Sequence, residues 1–189
     1  DLSAKIKNGV KNKFMLNIPI ILGTVREGRY SEKVTRFMLK QLGNLSLQSE
    51  IIDTRDFIDK KLTPLDYAQK IAKADALIVV APEYNHSFPG EFKTMLDSLK
   101  REYAYKPLGI CGVSSGPLGG SRMVEQLKLV GIELRMIPIK EALYFSNVTE
   151  LFDDQNNLKN NDYEKRITIF LGELKFLAET LKPVREKIT

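Results

Sequence analysis

The chain has 189 residues and a formal net charge of +5 at pH 7, with 28% charged and 43% hydrophobic residues. This length and balance exclude wholesale disorder and predict one globular domain with a sizeable core over residues 1–189. With one cysteine, one histidine and no apolar run near the ~20 residues of a membrane span, we expect no metal site, no membrane association and a cytoplasmic location.

The first 14 residues carry four lysines and precede Met15, which could be the natural start. We interpret residues 1–14 as a leader, either an artificial remnant or a native extension. The surplus of positive charge along the whole chain favours anionic ligands, nucleic acid and polyphosphate cofactors among them. Because the basic residues are spread out, charge alone does not choose between such a ligand and a solvated surface.

Five short apolar runs predict β-strands. In chain order they are Ile18–Leu22, Glu50–Ile52, Ala76–Ala81, Leu108–Val113 and Ile132–Ile137. The third run is apolar at every position, which is typical of a central parallel strand buried on both faces.

Segments with apolar residues at helical spacing lie between and after these strands. Ser31 is predicted to cap the first helix, Leu65–Asp75 to form the second, and Pro89 to stand in the first turn of the third. The apolar faces of the first and third helices consist of Val34, Phe37, Met38 and Leu42, and of Phe92, Met95, Leu96 and Leu99. The fourth helix is indicated by Met123, Leu127 and Val130, and the fifth, ending before Pro183, by Ile167, Leu171, Leu174, Ala178 and Leu181. This alternation predicts an α/β fold with helices on both faces of a parallel sheet.

One long segment stands outside the alternation. Ile139–Asn161 contains the polar run DDQNNLKNND, and we interpret it as a solvated connection. The acid pair Asp153-Asp154 in this run is expected to be solvated rather than catalytic.

Ligands of open α/β sheets bind beyond the carboxyl ends of the strands, where the strand order reverses. The loop after the first strand, Gly23–Ser31, offers the hydroxyls of Thr24 and Ser31, the guanidinium of Arg26 and the free N–H groups of a helix start. It lacks the glycine pattern of dinucleotide loops and the Lys-Ser/Thr pair of triphosphate loops, which favours a monophosphate. A plain connecting loop remains the alternative.

Two further loops lie on the same edge of the predicted sheet. After the third strand, Pro82 and Pro89 stiffen a segment in which Tyr84 offers a flat apolar face. After the fourth strand, the small residues of Ser114–Arg122 let a planar ligand approach the main chain. Together the three loops predict one pocket.

With these loops, the chain resembles the NADPH-dependent FMN reductases, a flavodoxin-like family that includes quinone, chromate and azo-dye reductases. The matching residues are Gly23-Thr24 with Arg26 and Ser31, Ala74-Asp75-Ala76, Pro82-Glu83-Tyr84-Asn85, Pro89-Gly90 with Lys93 and Leu96-Asp97, and Ser115-Gly116 with Gly119-Gly120. The resemblance covers Ile18–Val148, and Pro82–Asn85 is its most specific part. It implies a three-layer sandwich with a five-stranded parallel sheet in the order 2-1-3-4-5.

The resemblance also implies a role for each matching residue. Thr24, Arg26 and Ser31 would hold the phosphate of FMN. Pro82, Glu83, Tyr84 and Asn85 would line the isoalloxazine ring, chiefly through main-chain groups, while Ser115 and Gly116 would border its other edge with Gly119 nearby. Homodimers or homotetramers are implied as well, with the helix after Pro89 commonly at the interface, and no nucleic-acid partner is expected.

Because the flavin carries the chemistry, no catalytic side chain is required. We expect NADPH or NADH to give hydride to FMN and then leave, after which a small-molecule acceptor takes its place in a ping-pong scheme. Quinones, azo dyes, metal oxyanions, ferric chelates and free flavin are all open as acceptors. The alternatives are a flavodoxin-type electron carrier, which is usually acidic, and a flavin-binding regulatory protein.

Three further residues are weighed individually. His86 is expected to frame the pocket rather than transfer a proton, because flavin chemistry does not need it. Cys111 is predicted to be a small core residue. Arg122 could meet a nucleotide phosphate or face water, and the sequence does not separate these roles.

Overall fold

The computed structural model describes residues 15–160 and 162–187, so the predicted leader at residues 1–14 lies outside the described residues. Within those two ranges the chain forms five strands and seven helices. They are β1 (Ile20–Leu22), α1 (Tyr30–Asn44), β2 (Ile51–Asp53), α2 (Thr54–Ile58), α3 (Pro64–Lys73), β3 (Leu77–Pro82), α4 (Gly90–Asp97), β4 (Pro107–Val113), α5 (Ser121–Glu133), β5 (Ile137–Phe145), α6 (Val148–Leu151) and α7 (Asp162–Arg185). None of these helices is long and apolar enough to cross a membrane.

All five strands pair in parallel in the order β2-β1-β3-β4-β5, which confirms the expected sheet. At the carboxyl end of β1, Leu22 lies opposite Asp53 of β2 and Val80 of β3. The chain winds outward in one direction from β1 to β2 and in the other from β3 to β5. The loops after β1 and β3 therefore diverge at the point where ligands of such sheets bind.

Two hydrophobic cores cover the two faces of the sheet and confirm the three layers. In β3, Ile78 and Val80 pack with α1 and α7, while Leu77, Val79 and Ala81 pack with α3, α4 and α5. Successive residues of a strand point to opposite faces, so a strand buried on both sides is apolar at every position. Cys111 is fully buried in the first core, as predicted, and burial raises the pKa of its thiol.

The predicted fifth strand, Ile132–Ile137, is wrong. Ile132 belongs to the last turn of α5, and β5 runs from Ile137 to Phe145. This edge strand is only partly buried, so polar residues interrupt its apolar run. The carboxylate of Glu173 on α7 accepts hydrogen bonds from the N–H groups of Lys140 and Glu141, at 3.1 and 3.2 Å, where the ladder to β4 is irregular.

The predicted solvated connection over 139–161 is correspondingly wrong in its first half. Ile139–Phe145 lies in β5, and Val148, Leu151 and Phe152 are buried in the core formed with α1 and α7. The polar part is short and locally ordered, because the carboxylate of Asp153 accepts hydrogen bonds from the N–H groups of Gln155 and Asn157.

The predicted ends of three helices also need correction. The first helix begins at Tyr30, so Ser31 lies inside its first turn and does not cap it. Pro89 precedes the first residue of α4 rather than standing in its first turn, and Leu99 lies beyond the end of that helix. The last helix passes Pro183 and ends at Arg185, whose guanidinium lies 3.0 Å from the carboxylate of Asp75.

Candidate functional site

The loops after β1, β3 and β4 come together at one edge of the sheet, because these three strands are neighbours. Thr24 Oγ1 lies 3.1 Å from the hydroxyl of Tyr84, which joins the first loop to the second. The N–H of Glu83 donates to the carbonyl oxygen of Val113 at 3.4 Å, which joins the second loop to the end of β4. The three predicted walls of the pocket therefore meet in the structure.

Arginine side chains hold the first loop by its carbonyl oxygens. Arg29 donates to the carbonyl of Thr24, and Arg55 donates to those of Val25 and Arg26, at 3.0 and 2.9 Å. Asp53, at the end of β2, pairs with the guanidinium of Arg29 and accepts the N–H of Arg55 at 2.8 Å. Three consecutive carbonyls of the loop thus face cations.

Donors remain available on the loop itself. Within the described ranges, the N–H groups of Val25, Glu27 and Gly28 have no hydrogen-bond acceptor. The side chain of Ser31 is only 2% exposed, and its Oγ likewise has no hydrogen-bond partner within these ranges. Buried hydroxyls are almost always hydrogen-bonded, so the Ser31 hydroxyl is a candidate donor to a ligand at the start of α1, and Thr54 Oγ1 is a second buried hydroxyl without a partner in the described residues.

Arg26 is exposed at the mouth of the first loop and lies over the ring of Tyr84, with its guanidinium carbon 4.7 Å from the ring centre. Tyr84 therefore contacts two of the three predicted phosphate ligands, Thr24 and Arg26. The predicted phosphate end and the predicted ring end of the site are therefore linked through this one side chain.

The second loop is a tight hairpin rather than an open turn. Tyr84 and Ser87 exchange both backbone hydrogen bonds, at 2.8 and 2.9 Å, and the two residues between them have positive φ angles of 49° (Asn85) and 68° (His86). This geometry is that of a two-residue turn with both central residues left-handed. The side chains of Asn85 and His86 are exposed at its tip.

Arg122, for which the sequence leaves a nucleotide phosphate and solvent as alternative partners, contacts a carboxylate of the second loop in the structure. The guanidinium of Arg122 donates to one carboxylate oxygen of Glu83 at 2.6 Å, and the backbone N–H of Arg122 donates to the other at 3.2 Å. This contact fastens the second loop to the first turn of α5. Pro82 ends β3 just before it.

The third wall is pressed against β5. Gly119 has a φ of 58°, and a side chain there would bring its Cβ within 2.8 Å of the carbonyl carbon of Tyr144, so this position requires glycine. Ser115 is exposed and Gly116 half-buried, which leaves both at the opening. Their segment is anchored because the N–H of Asn147 donates to the carbonyl of Gly116 at 3.1 Å.

A second cleft, of about 1060 Å³, lies at the opposite edge of the sheet, near the amino ends of β3 and β4. Lys106 is almost fully buried there and donates to the carbonyls of Ala72 and Ala74, at 3.2 and 2.6 Å. Burial lowers its pKa to about 8, and the positive charges of Arg185 and Lys182 act in the same direction. The cleft is far from the three loops.

Sequence reasoning missed Arg29, Asp53 and Arg55 as parts of the site. Asp53 is the last residue of β2 and Arg55 follows it, whereas the loops that the sequence points to come after the first, third and fourth strands. Arg29 lies within the first of those loops, but the sequence gives it no role of its own. A signal was present, because β2 is the neighbour of β1 in a 2-1-3-4-5 sheet and its carboxyl end must lie beside the first loop. The motif Asp53-Thr54-Arg55 stands at that point.

Comparison with known proteins adds a family to this geometry. The family model described as NADPH-dependent FMN reductase matches residues 16–150. A quinone reductase of Pseudomonas putida is 29% identical over 161 residues, covering 76% of this chain and 85% of its own. An FMN-dependent NADPH-azoreductase of Staphylococcus haemolyticus is 26% identical over 175 residues, covering 82% and 91%.

Solved structures agree on the fold. The flavoenzyme NAD(P)H:(acceptor) oxidoreductase FerB from Paracoccus denitrificans aligns with a TM-score of 0.76 at 19% identity, covering 88% of this chain and 98% of its own. A short-chain flavodoxin associated with a bacterial microcompartment aligns with a TM-score of 0.59 at 17% identity, covering 87% and 99%. The architecture is therefore shared by reductases and by flavodoxins, and fold alone does not separate them.

Proposed function

The chain belongs to the NADPH-dependent FMN reductase family, and we propose that its three-loop site carries electrons from a nicotinamide nucleotide to a small-molecule acceptor. Membership makes the chain an FMN-dependent oxidoreductase that uses NADPH. The observation that carries the proposal is the buried hydroxyl of Ser31, which has no hydrogen-bond partner within residues 15–160 and 162–187. It follows in sequence the loop in which the N–H groups of Val25, Glu27 and Gly28 have no acceptor in those ranges. These donors fit an anionic phosphate.

We assign the phosphate end of the cofactor to the first loop. Thr24, Arg26 and Ser31 would hold the phosphate, with the main-chain N–H groups of Val25 and Glu27 beside them. Arg26 is the one cation of this set, and its contact with the Tyr84 ring keeps its guanidinium at the loop mouth. A charged donor beside hydroxyls and N–H groups suits a doubly charged monoester.

The ring end of the cofactor is assigned to the other two loops. Pro82, Glu83, Tyr84 and Asn85 would line one side, and Ser115 and Gly116 would border the other, with Gly119 nearby. The Glu83–Arg122 contact fixes the distance between these walls. Because two backbone hydrogen bonds between Tyr84 and Ser87 close the Asn85-His86 turn, its main-chain groups would be held in place before the ring binds.

Bound FMN supplies the redox chemistry, accepting two electrons from the nicotinamide and releasing them to the acceptor. The chain's part is to bind, orient and leave one face open. The loop tips Asn85, His86 and Ser115 are exposed, so the nucleotide and the acceptor would use the same surface in turn. We therefore propose a ping-pong order without a catalytic side chain.

We favour quinones as the acceptor class. Azo compounds rank second, and metal oxyanions and free flavin rank after them. The support is the names of the relatives, which include quinone reductase, 2-hydroxy-1,4-benzoquinone reductase and FMN-dependent NADPH-azoreductase. A flat conjugated acceptor also suits a shallow opening between two loops.

The test starts from protein reconstituted with FMN and mixed with NADPH or NADH in a stopped-flow instrument. We expect bleaching of the flavin absorbance, and reoxidation by a benzoquinone faster than by an azo dye or ferric chelate. Parallel double-reciprocal lines in steady state would support the ping-pong order, whereas intersecting lines would contradict it. Protein that binds FMN but is not reduced by either nucleotide would be an electron carrier or a regulatory protein instead.

A further inference from the structure

We infer that Arg55 is a positioning residue for the phosphate-binding loop, acting on it through main-chain carbonyls and without touching the cofactor. The inference rests on the proposed function, because it assumes that the loop after β1 binds the phosphate. Arg55 lies on α2, directly after β2, and belongs to a part of the chain to which neither the motifs nor the resemblance gave a role.

The contacts of Arg55 span two consecutive peptide groups. Its Nη2 donates to the carbonyls of Arg26 and Val25, at 2.9 and 3.0 Å, and its Nε donates to that of Val25 at 3.2 Å. These contacts come from two nitrogens of one planar guanidinium, Nε and Nη2. A lysine ammonium can also bond two carbonyls, but it carries its donors on one nitrogen that lies one bond nearer the backbone than Nη2.

The carboxylate of Asp53 holds the backbone of Arg55 in place by a hydrogen bond. Asp53 Oδ1 accepts the N–H of Arg55 at 2.8 Å and the guanidinium of Arg29 at 2.9 Å. Arg29 in turn donates to the carbonyl of Thr24. One carboxylate therefore organises both arginines, and together they hold the carbonyls of residues 24, 25 and 26.

Holding these carbonyls determines where the loop's donors point. In a trans peptide group the C=O and the following N–H point in opposite directions within one plane. Fixing the carbonyls of Val25 and Arg26 against Arg55 therefore aims the N–H groups of Arg26 and Glu27 away from it. The carbonyl of Thr24, held by Arg29, aims the N–H of Val25 in the same manner.

The donors so oriented match what an anion needs. The N–H of Arg26 lies 3.4 Å from Thr24 Oγ1, while those of Val25 and Glu27 have no acceptor in residues 15–160 and 162–187. Successive N–H groups on one side of a turn form an anion-binding concavity. Without Arg55, the carbonyls would be free to rotate toward the phosphate, which they repel.

The experiment compares affinities for FMN and for riboflavin, which lacks the phosphate, by titrating apoprotein and following quenching of flavin fluorescence. We expect Arg55→Met to weaken FMN binding at least tenfold while riboflavin binding changes less than twofold. Arg55→Lys keeps the charge but lacks the second nitrogen and the reach of Nη2, so it should recover less than half of the loss on a logarithmic scale. Arg36→Met is the matched control, because Arg36 is an exposed arginine of α1 whose guanidinium binds Glu32 at 2.7 Å.

Each outcome decides the question. Full recovery by Arg55→Lys, or an equal loss of FMN affinity in Arg36→Met, would reduce the effect to charge and overturn the inference. Equal losses for FMN and riboflavin would mean general destabilisation and overturn it as well. If Arg55→Met does not fold, Arg55→Lys alone tests the inference. A loss of FMN affinity without a loss of riboflavin affinity in that variant would support the inference, and no such loss would overturn it. A wild-type protein that binds riboflavin as tightly as FMN would remove the phosphate site itself, and with it the proposed function.

Discussion

Arg26 is exposed, yet its position is defined by the ring of Tyr84 beneath it. We predict that Arg26→Ala weakens FMN binding by about 2–3 kcal/mol, the scale of a hydrogen bond between charged groups. Riboflavin affinity and the melting temperature of the apoprotein should stay unchanged, because a loop arginine at the surface supports no core. Equilibrium titration with both flavins measures this, with Arg36→Ala as control. An unchanged FMN affinity would end the assignment of this loop to the phosphate.

Lys106 makes the stability of the protein depend on pH. Burial and the nearby Arg185 and Lys182 lower its pKa to about 8 in the folded state, against the opposing effect of Asp75. The unfolded chain therefore binds more protons between pH 8 and the ordinary lysine value, and stability rises with pH through that window. Relative to Lys106→Met, the wild type should gain about 1 kcal/mol between pH 7 and 9. Urea unfolding at both pH values measures the gain, and a constant difference would contradict it.

The candidate ligand residues of the first loop could be predicted from the sequence, whereas the contacts that hold the loop's carbonyls could not. Thr24, Arg26 and Ser31 carry hydroxyls and a cation at a strand-to-helix junction, which is a local pattern. The carbonyl contacts of Arg55 join residues 29 or 30 positions apart, so no local pattern predicts them.

At the scale of elements, the hairpin turn after β3 carries backbone strain at His86. A left-handed conformation costs a non-glycine residue about 1–2 kcal/mol, and asparagine tolerates it better than histidine does. We predict that His86→Gly stabilises the protein by up to about 1 kcal/mol, after allowing for the greater chain entropy of glycine. Chemical unfolding measures the change.

The matched control is Ser87→Gly, one residue beyond the strained pair, which should destabilise the hairpin because no positive φ is relieved there. The rate of flavin reduction by NADPH should change less than threefold in His86→Gly. A hundredfold loss, about 2.7 kcal/mol of transition-state stabilisation, would instead make His86 a participant in the reaction.

The strands differ in how well the sequence predicts them, and burial is the reason. β3 and β4 are covered on both faces and are read directly from continuous apolar runs. β5 is an edge strand with Lys140 exposed, so polar residues interrupt its apolar pattern, and the apolar residues at the end of α5 resemble a strand more closely. The short helix α2 has five residues, too few for a periodic pattern.

For the whole molecule, the open question is how copies of the chain associate. The apolar stripe after Pro89, expected at an interface, is occupied within the chain, since Phe92, Met95 and Leu99 are all buried in its own core. Another surface is available on α5, where Leu129 and Ile132 are 63% and 61% exposed. They are three residues apart and so lie on the same face of the helix. Adjacent exposed apolar side chains are typical of contact surfaces between proteins.

We therefore predict a homodimer or homotetramer that depends on the exposed face of α5. Wild-type protein at micromolar concentration should sediment as a dimer or larger, and the double variant Leu129→Glu, Ile132→Glu as a smaller species, because two carboxylates cannot be buried against their own copies. Phe176→Glu on α7, where Phe176 is 56% exposed, serves as the control and should leave the assembly intact. At ~1.5 Å of rise per residue, these positions lie about 10–15 Å along the helix from Arg122. FMN affinity should therefore change less than twofold when the assembly dissociates. A monomeric wild type would contradict the predicted assembly. An α5 variant that stays assembled would place the interface on another surface.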